Sequence, residues 1–425
     1  MFYDGQGRPI PPRRAIPVDE AHERLAARVG TIDAEDVPLF AAVGRSIAEA
    51  VRANAPLPHY PLSGMDGYAV KGEECASASP DAPVRLRVVE SVPAGSVPKR
   101  TVDYGTAVRI MTGGPIPEGA TAVVMLEQTE TSDADGETFV AVKAPVAVGQ
   151  HIAVPGEEIA EGRLLVREGT KLNPGHASLL AAFGRERVRV YRKPRVAIVS
   201  TGDEIVPIDR PAEYGKVRNS NAYMLAAQVA MNGGEPVLYG IVPDEIGAVA
   251  EALDRATAES DVVVTSGGVS VGDYDVMAAY FRQCGDAVLF DKVSMRPGAP
   301  TTAAWRDGKF LFGLSGNPGA CFVGFELFVR PVLRAMLGGP FALPRFAATL
   351  GADFPKPSPH RRFLRGRYRL EDGQAVATPF PNNKSSMMLS IPDANALIVI
   401  PPGGAAQRGV QVEVIPIDYA PWHGE

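Results

Sequence analysis

Apolar residues recur at helical spacing from Val18 to Val29, with Ala21, Leu25 and Val29 on one face. Beyond Arg52 that period disappears until about Val154, and short apolar runs alternate with Gly, Pro and Asp. Val84–Val89 and Phe139–Val142 are predicted strands in this stretch. A helix is predicted again over Asn173–Phe183, with Asn173 as cap, Pro174 in the first turn and Gly184 at the exit. Strand and helix then alternate: strand Val196–Val199, helix Ala222–Met231, strand Val237–Val242, helix Ile246–Ala258, strand Asp261–Thr265, helix Val276–Gln283. That alternation predicts a parallel sheet with right-handed crossovers, whose ligands bind at the carboxyl ends of the strands. An apolar helix follows over Ala320–Leu337. After Gly338 the strand pattern returns in Arg367–Leu370, Ala396–Ile400 and Val410–Ile415, a C-terminal all-β domain of about 80 residues.

Composition narrows the class. A chain of 425 residues is expected to fold as about three domains. Its 45% hydrophobic and 22% charged residues are those of a soluble globular protein. No apolar run approaches the roughly 20 residues that cross a bilayer, so no membrane association is expected. Met1–Arg14 is polar and Pro/Gly-rich, unlike a secretory signal. Cys75, Cys284 and Cys321 form neither a CxxC pair nor a disulfide framework, which fits a cytoplasmic location. A net charge of -6 argues against a general nucleic-acid binder.

Chemistry is concentrated in loops at predicted strand ends. Ser200-Thr-Gly-Asp-Glu204 follows the first α/β strand, placing Thr201 and Gly202 beside Glu204. Thr265-Ser-Gly-Gly-Val-Ser-Val-Gly-Asp-Tyr-Asp275 follows the third, placing Ser266, Gly267, Gly268 and Ser270 ahead of Asp273 and Asp275. Small residues let backbone amides approach an anion. Carboxylates beside such amides make sense for a phosphate only with a divalent cation between them, and Glu204, Asp273 and Asp275 supply the hard oxygens Mg²⁺ takes. Tight turns with acids capping the next helix are the plainer reading of either loop alone. Two such loops at neighbouring strand ends favour a site. Gly313-Leu-Ser-Gly-Asn-Pro-Gly319 precedes the apolar helix, with Pro318 suited to its first turn, so the helix N-terminus behind Gly316, Asn317 and Pro318 is expected to offer free amides to an anion; a plain strand-to-helix turn is the alternative. Lys292-Val-Ser-Met-Arg-Pro-Gly298 puts two cations four residues apart, and by itself reads as a solvated loop. Arg361, Arg362, Arg365, Arg367 and Arg369 form a basic cluster suited either to an oxyanion or to a solvated face. No Walker A, GxGxxG or HExxH pattern is present.

Six segments in order, SGMDGYAV, VRIMTGGPIPEGA, STGDE, DVVVTSGGVSVGDYD, RPGAP and LSGNPGA, resemble the molybdopterin molybdenumtransferases, called MoeA in bacteria and similar to the gephyrin E domain. The resemblance runs from about Ala15 to the C-terminus. It implies a multi-domain α/β plus β fold. A central three-layer α/β domain with mostly parallel sheet spans 182–339 and binds molybdopterin. A β-rich domain, 53–153, is inserted into a discontinuous helical/β domain, 15–52 with 154–181, that dimerises. The small β-barrel-like domain is 340–425.

The implied activity is insertion of molybdate into adenylylated molybdopterin, with hydrolysis to AMP and dependence on Mg²⁺. The implied assembly is a homodimer, with transient contacts to other cofactor-assembly proteins. Carried over by position, the catalytic acids are Asp66, Glu204, Asp244 and Asp275. Molybdate falls to Lys292, Arg296, Arg365 and Ser385, and Thr112 with Gly113 belongs to a substrate loop. The chain departs from the family pattern in three places: KPGKP is Arg296-Pro-Gly-Ala-Pro300, LPGNP is Leu314-Ser-Gly-Asn-Pro318, and a family aspartate is Glu158. A paralogue preferring tungstate and a non-catalytic gephyrin-like scaffold are the alternatives.

Overall fold

The computed structural model describes residues 14–417 apart from 94, 269–275 and 404–405, with the backbone of two short paired strands, Phe2–Tyr3 and Pro9–Ile10. Contacts divide the chain into two compact units. One comprises Met1–Glu49, Glu168–Asn173 and Arg187–Glu425; the other comprises Ala50–Arg167 and Pro174–Glu186.

The first unit contains a six-stranded sheet in which Glu235–Val242, Arg195–Thr201, Val262–Ser266 and Lys309–Leu314 lie side by side and parallel. Thr302–Arg306 and Val288–Phe290 extend it antiparallel. Alternate residues of Arg195–Thr201 serve opposite faces. Val196 and Ile198 pack with the helix Ser220–Met231 and the 318–336 helix, whereas Ala197 and Val199 pack with Ile246–Glu259 and Val276–Gln283. Both faces being covered, these strands are continuous apolar runs rather than alternating ones. The chain leaves Arg195–Thr201 for one neighbour and returns past it to the other. The connections therefore diverge between Arg195–Thr201 and Val262–Ser266, the crevice where open α/β sheets bind ligands.

The expected Ala320–Leu337 helix is Pro318–Gly324 and Arg330–Met336 with a π turn, Phe325–Val329, between them. Pro331 has no N–H, so the ordinary bond to the Leu327 carbonyl cannot form. His22, on the helix Val18–Ala26, meets that carbonyl with Nε2 at 2.8 Å.

The end of the chain forms a closed barrel. Arg361–Glu371, Gln374–Pro379, Phe346–Leu350, Gln411–Pro416 and Ala396–Ile400 follow one another, and the last pairs back with the first. Met295–Arg296 adds a short parallel strand to its wall.

The second unit is built on a six-stranded mixed sheet, ordered Thr129–Ala134, Glu137–Val142, Val84–Val92, Thr106–Ile110, Gly67–Val70, Ala122–Met125. It has its own core, including Tyr68, Leu86, Val124 and Val140. Among the described residues no helix is long and apolar enough to cross a membrane.

Candidate active site

A cleft of about 490 Å³ opens at the carboxyl ends of Arg195–Thr201, Val262–Ser266 and Lys309–Leu314. Of the expected site residues, Thr201, Glu204, Ser266, Gly267, Gly316, Asn317 and Pro318 line it together. Gly267 is required there on two counts. Its φ is +103°, and a Cβ would lie 2.2 Å from the Thr201 carbonyl oxygen, so the two loops touch through backbone alone. Gly202 and Gly268 adjoin these residues in sequence, also at positive φ. Ser270, Asp273 and Asp275 lie outside the described residues.

The inner wall is set by two asparagines that the sequence pattern did not single out. Asn219 caps the helix Ser220–Met231, its Oδ1 accepting from Ala222 N at 3.4 Å and from Ser200 Oγ at 3.0 Å. Asn221 Nδ2 donates to Ser266 Oγ and to the Gly316 carbonyl, both at 2.8 Å, and so ties three loops together. A carbonyl can only accept, which fixes the amide's orientation. The expected start at Ala222 is thus two residues late, because the cap and first turn are polar. Arg218, Ser386 and Met388 also line the cleft, and nothing in their local sequence marked them.

Of the acids, Glu204 lines the cleft. Asp244 N approaches Asp203 Oδ1 at 3.4 Å. Burial, then the charges of Asp203 and Glu204, push the Asp244 carboxyl above its ordinary range, and its Oδ1 is buried without a hydrogen-bond partner. Among the described residues no three Asp, Glu, His or Cys side chains gather into a metal-holding group. Mg²⁺ needs fewer, since it takes one or two carboxylates with phosphate oxygens and water. An orphaned carboxylate oxygen that feels the charges of Asp203 and Glu204 fits such a cation.

The helix at Pro318 does not offer free amides, which corrects the expectation for the Gly316-Asn317-Pro318 turn. Gly319 N and Ala320 N both donate to the Ser385 carbonyl, at 2.8 and 3.2 Å, and Asn317 N donates to Ser315 Oγ. The barrel caps this helix itself. Ser385 therefore acts here through its backbone.

Arg365 is fully buried. Its guanidinium donates to Ser390 Oγ at 2.8 Å, the Gly319 carbonyl at 3.0 Å and the Lys384 carbonyl at 2.9 Å. Desolvation lowers its pKa to about 10. Of the other clustered arginines, Arg361 forms a bidentate pair with Asp19, Arg367 pairs with Asp393, and Arg369 is exposed. Arg296 is the second residue of the short strand that joins the barrel wall, and Lys292 lies just ahead of that strand.

In the second unit, Asp66 Oδ1 accepts from Thr112 N at 2.6 Å and from Thr112 Oγ1 at 2.8 Å. These bonds, backbone first, and then Arg109 hold the exposed carboxyl below its usual range. Gly113 N donates to the Ser63 carbonyl, so this loop spends its amides on itself.

Comparison with known proteins covers the whole of this arrangement. Residues 16–184 match the MoeA N-terminal region (domain I and II), 197–335 a probable molybdopterin binding domain, and 347–417 the MoeA C-terminal region (domain IV). The molybdopterin molybdenumtransferase of Bacillus subtilis is 42% identical over 95% of this chain and 94% of its own. That of Staphylococcus aureus is 38% identical over 95% and 96%. The crystal structure of the molybdopterin biosynthesis MoeA protein from Pyrococcus horikoshii superposes with a TM-score of 0.81 at 33% identity, covering 95% of this chain and 100% of that one. The chain belongs to the MoeA family.

Proposed function

We propose that this protein is a molybdopterin molybdenumtransferase, which inserts molybdate into adenylylated molybdopterin and releases AMP. The carrying observation is the cleft at the diverging strand ends, lined by small polar residues and by Glu204, whose charge is felt by the Asp244 carboxyl. It suits a ligand that presents a phosphate through a divalent cation. Near-full-length similarity to transferases of that name supports a molybdopterin substrate.

In this reading Glu204 and Asp244, with Asp273 and Asp275 of the following loop, would hold Mg²⁺. The cation would neutralise the anhydride linking pterin phosphate to adenylate. The chain's own part is positioning: Asn221 and Gly267 hold the cleft loops in place, and Lys292 and Arg296 receive molybdate. Charge stabilisation by fixed groups then favours hydrolysis of the anhydride without a protein nucleophile. The reading carries with it a homodimer in the cytoplasm.

The test is AMP release by purified protein from adenylylated molybdopterin, titrated with molybdate or tungstate, with and without Mg²⁺. Release that requires both molybdate and Mg²⁺ is the expected result. Half-saturation at a lower concentration of tungstate would shift the assignment to a tungstate-preferring paralogue. Substrate binding without AMP release under any condition would leave a scaffold.

A further inference from the structure

The short strand Met295–Arg296 runs parallel to Arg361–Glu371 with Arg296 opposite Arg362. Register partners on neighbouring strands stand about 5 Å apart and point to the same face. Two like-charged side chains therefore leave the barrel wall on the same face from paired positions, an arrangement that is unfavourable by itself. Nearby arginines are matched, Arg361 to Asp19 and Arg367 to Asp393. Among the described residues neither Arg296 nor Arg362 has a carboxylate within salt-bridge distance. Arg362 lies over the Phe354 ring at 5.2 Å, and its Nε is buried without an acceptor. Burial and then the charge of Arg296 lower the Arg362 pKa, so the two cations feel each other. An anion between them would relieve that repulsion and give both forks oxygen acceptors.

We propose that Arg296 and Arg362 together form a cradle for a tetrahedral oxyanion, with Arg362 supplying a charge that Ala299 lacks on the adjoining loop. The proposal rests on the reading that this loop receives molybdate. Arg362 is not on the loop, and the sequence marked it only as one of five clustered arginines; strand pairing is what brings it beside Arg296.

The experiment is equilibrium dialysis of the purified full-length protein against molybdate, with protein-bound metal counted. Arg296→Gln and Arg362→Gln should each weaken retention about tenfold. The double variant should lose less than the product of the two, because they share one anion. Arg362→Lys should recover part of the loss. The thermal midpoint of Arg362→Gln should be unchanged or higher, since a half-buried charge without a carboxylate partner is removed; a merely structural arginine would lower it. Arg362→Met, which keeps an apolar stem on Phe354, replaces the glutamine variant if that one fails to fold. Wild-type retention in both Arg362→Gln and Arg362→Met, with loss in Arg296→Gln, overturns the role of Arg362 and leaves the loop standing. Wild-type retention in every variant, or no retention by the unaltered protein, overturns both readings.

Discussion

Arg365 reaches the Gly319 carbonyl only because Gly319 has no side chain: a Cβ there would lie 2.3 Å from the guanidinium. A buried arginine with no carboxylate beside it is costly, and this one is held by three neutral acceptors. Its removal would leave the buried Gly319 carbonyl and the partly buried Lys384 carbonyl without this donor. Arg365→Met is therefore expected to cost about 2–4 kcal/mol, read as a lower urea midpoint at unchanged m-value. Arg365→Lys should recover little, because an ammonium cannot span acceptors placed for a planar fork. A methionine variant as stable as the parent would show that these bonds hold nothing. By residue pattern Arg365 was one of five similar arginines, singled out only by the family resemblance; in the structure burial separates it from Arg369.

The 318–336 helix shows what an element owes to its neighbours. Its apolar composition predicted a helix, and a helix it is, but Pro331 forces the register to slip through a π turn and frees the Leu327 carbonyl. His22 meets that carbonyl from 305 residues away in sequence. Its ring packs edge-on against Phe328 and Phe341, at 5.7 and 5.8 Å between centroids. Burial pushes the His22 pKa below its ordinary 6.5; the Leu327 bond and Asp19 oppose this, while Arg345 and Arg361 add to it. As the pH falls, the unfolded chain therefore takes up a proton on this residue before the folded one. This contribution to stability is complete above about pH 6.5 and is lost as the pH falls toward the folded-state pKa. Thermal midpoints between pH 5 and 8 should fall on the acid side, and His22→Phe should flatten that dependence. The same variant should cost about 1–3 kcal/mol at pH 8, for the carbonyl left without a donor. An unchanged acid slope in the variant would remove His22 as its source.

At the scale of the molecule, the proposed homodimer makes its own prediction. Light scattering at micromolar concentration should return twice the mass of the chain, and a monomer would remove the dimer from the functional reading. The sequence by itself determined the α/β alternation, the all-β C-terminal segment and the identity of the loops at the strand ends. Each of these is written in local periodicity, in Gly and Pro punctuation, or in residues a few positions apart. The acidic and glycine-rich edge of the cleft, Thr201, Glu204, Ser266 and Gly267, was legible for the same reason, since it is made of two short contiguous loops. Only tertiary structure decided which strand lies beside which, that the barrel closes by pairing Arg361–Glu371 with Ala396–Ile400, and that Ser385 caps the Pro318 helix against an outside anion. It also decided that Asn221 joins three loops and that Arg362 stands beside Arg296. Those facts depend on contacts between residues tens to hundreds of positions apart, and such pairings leave no periodic trace in the chain that makes them.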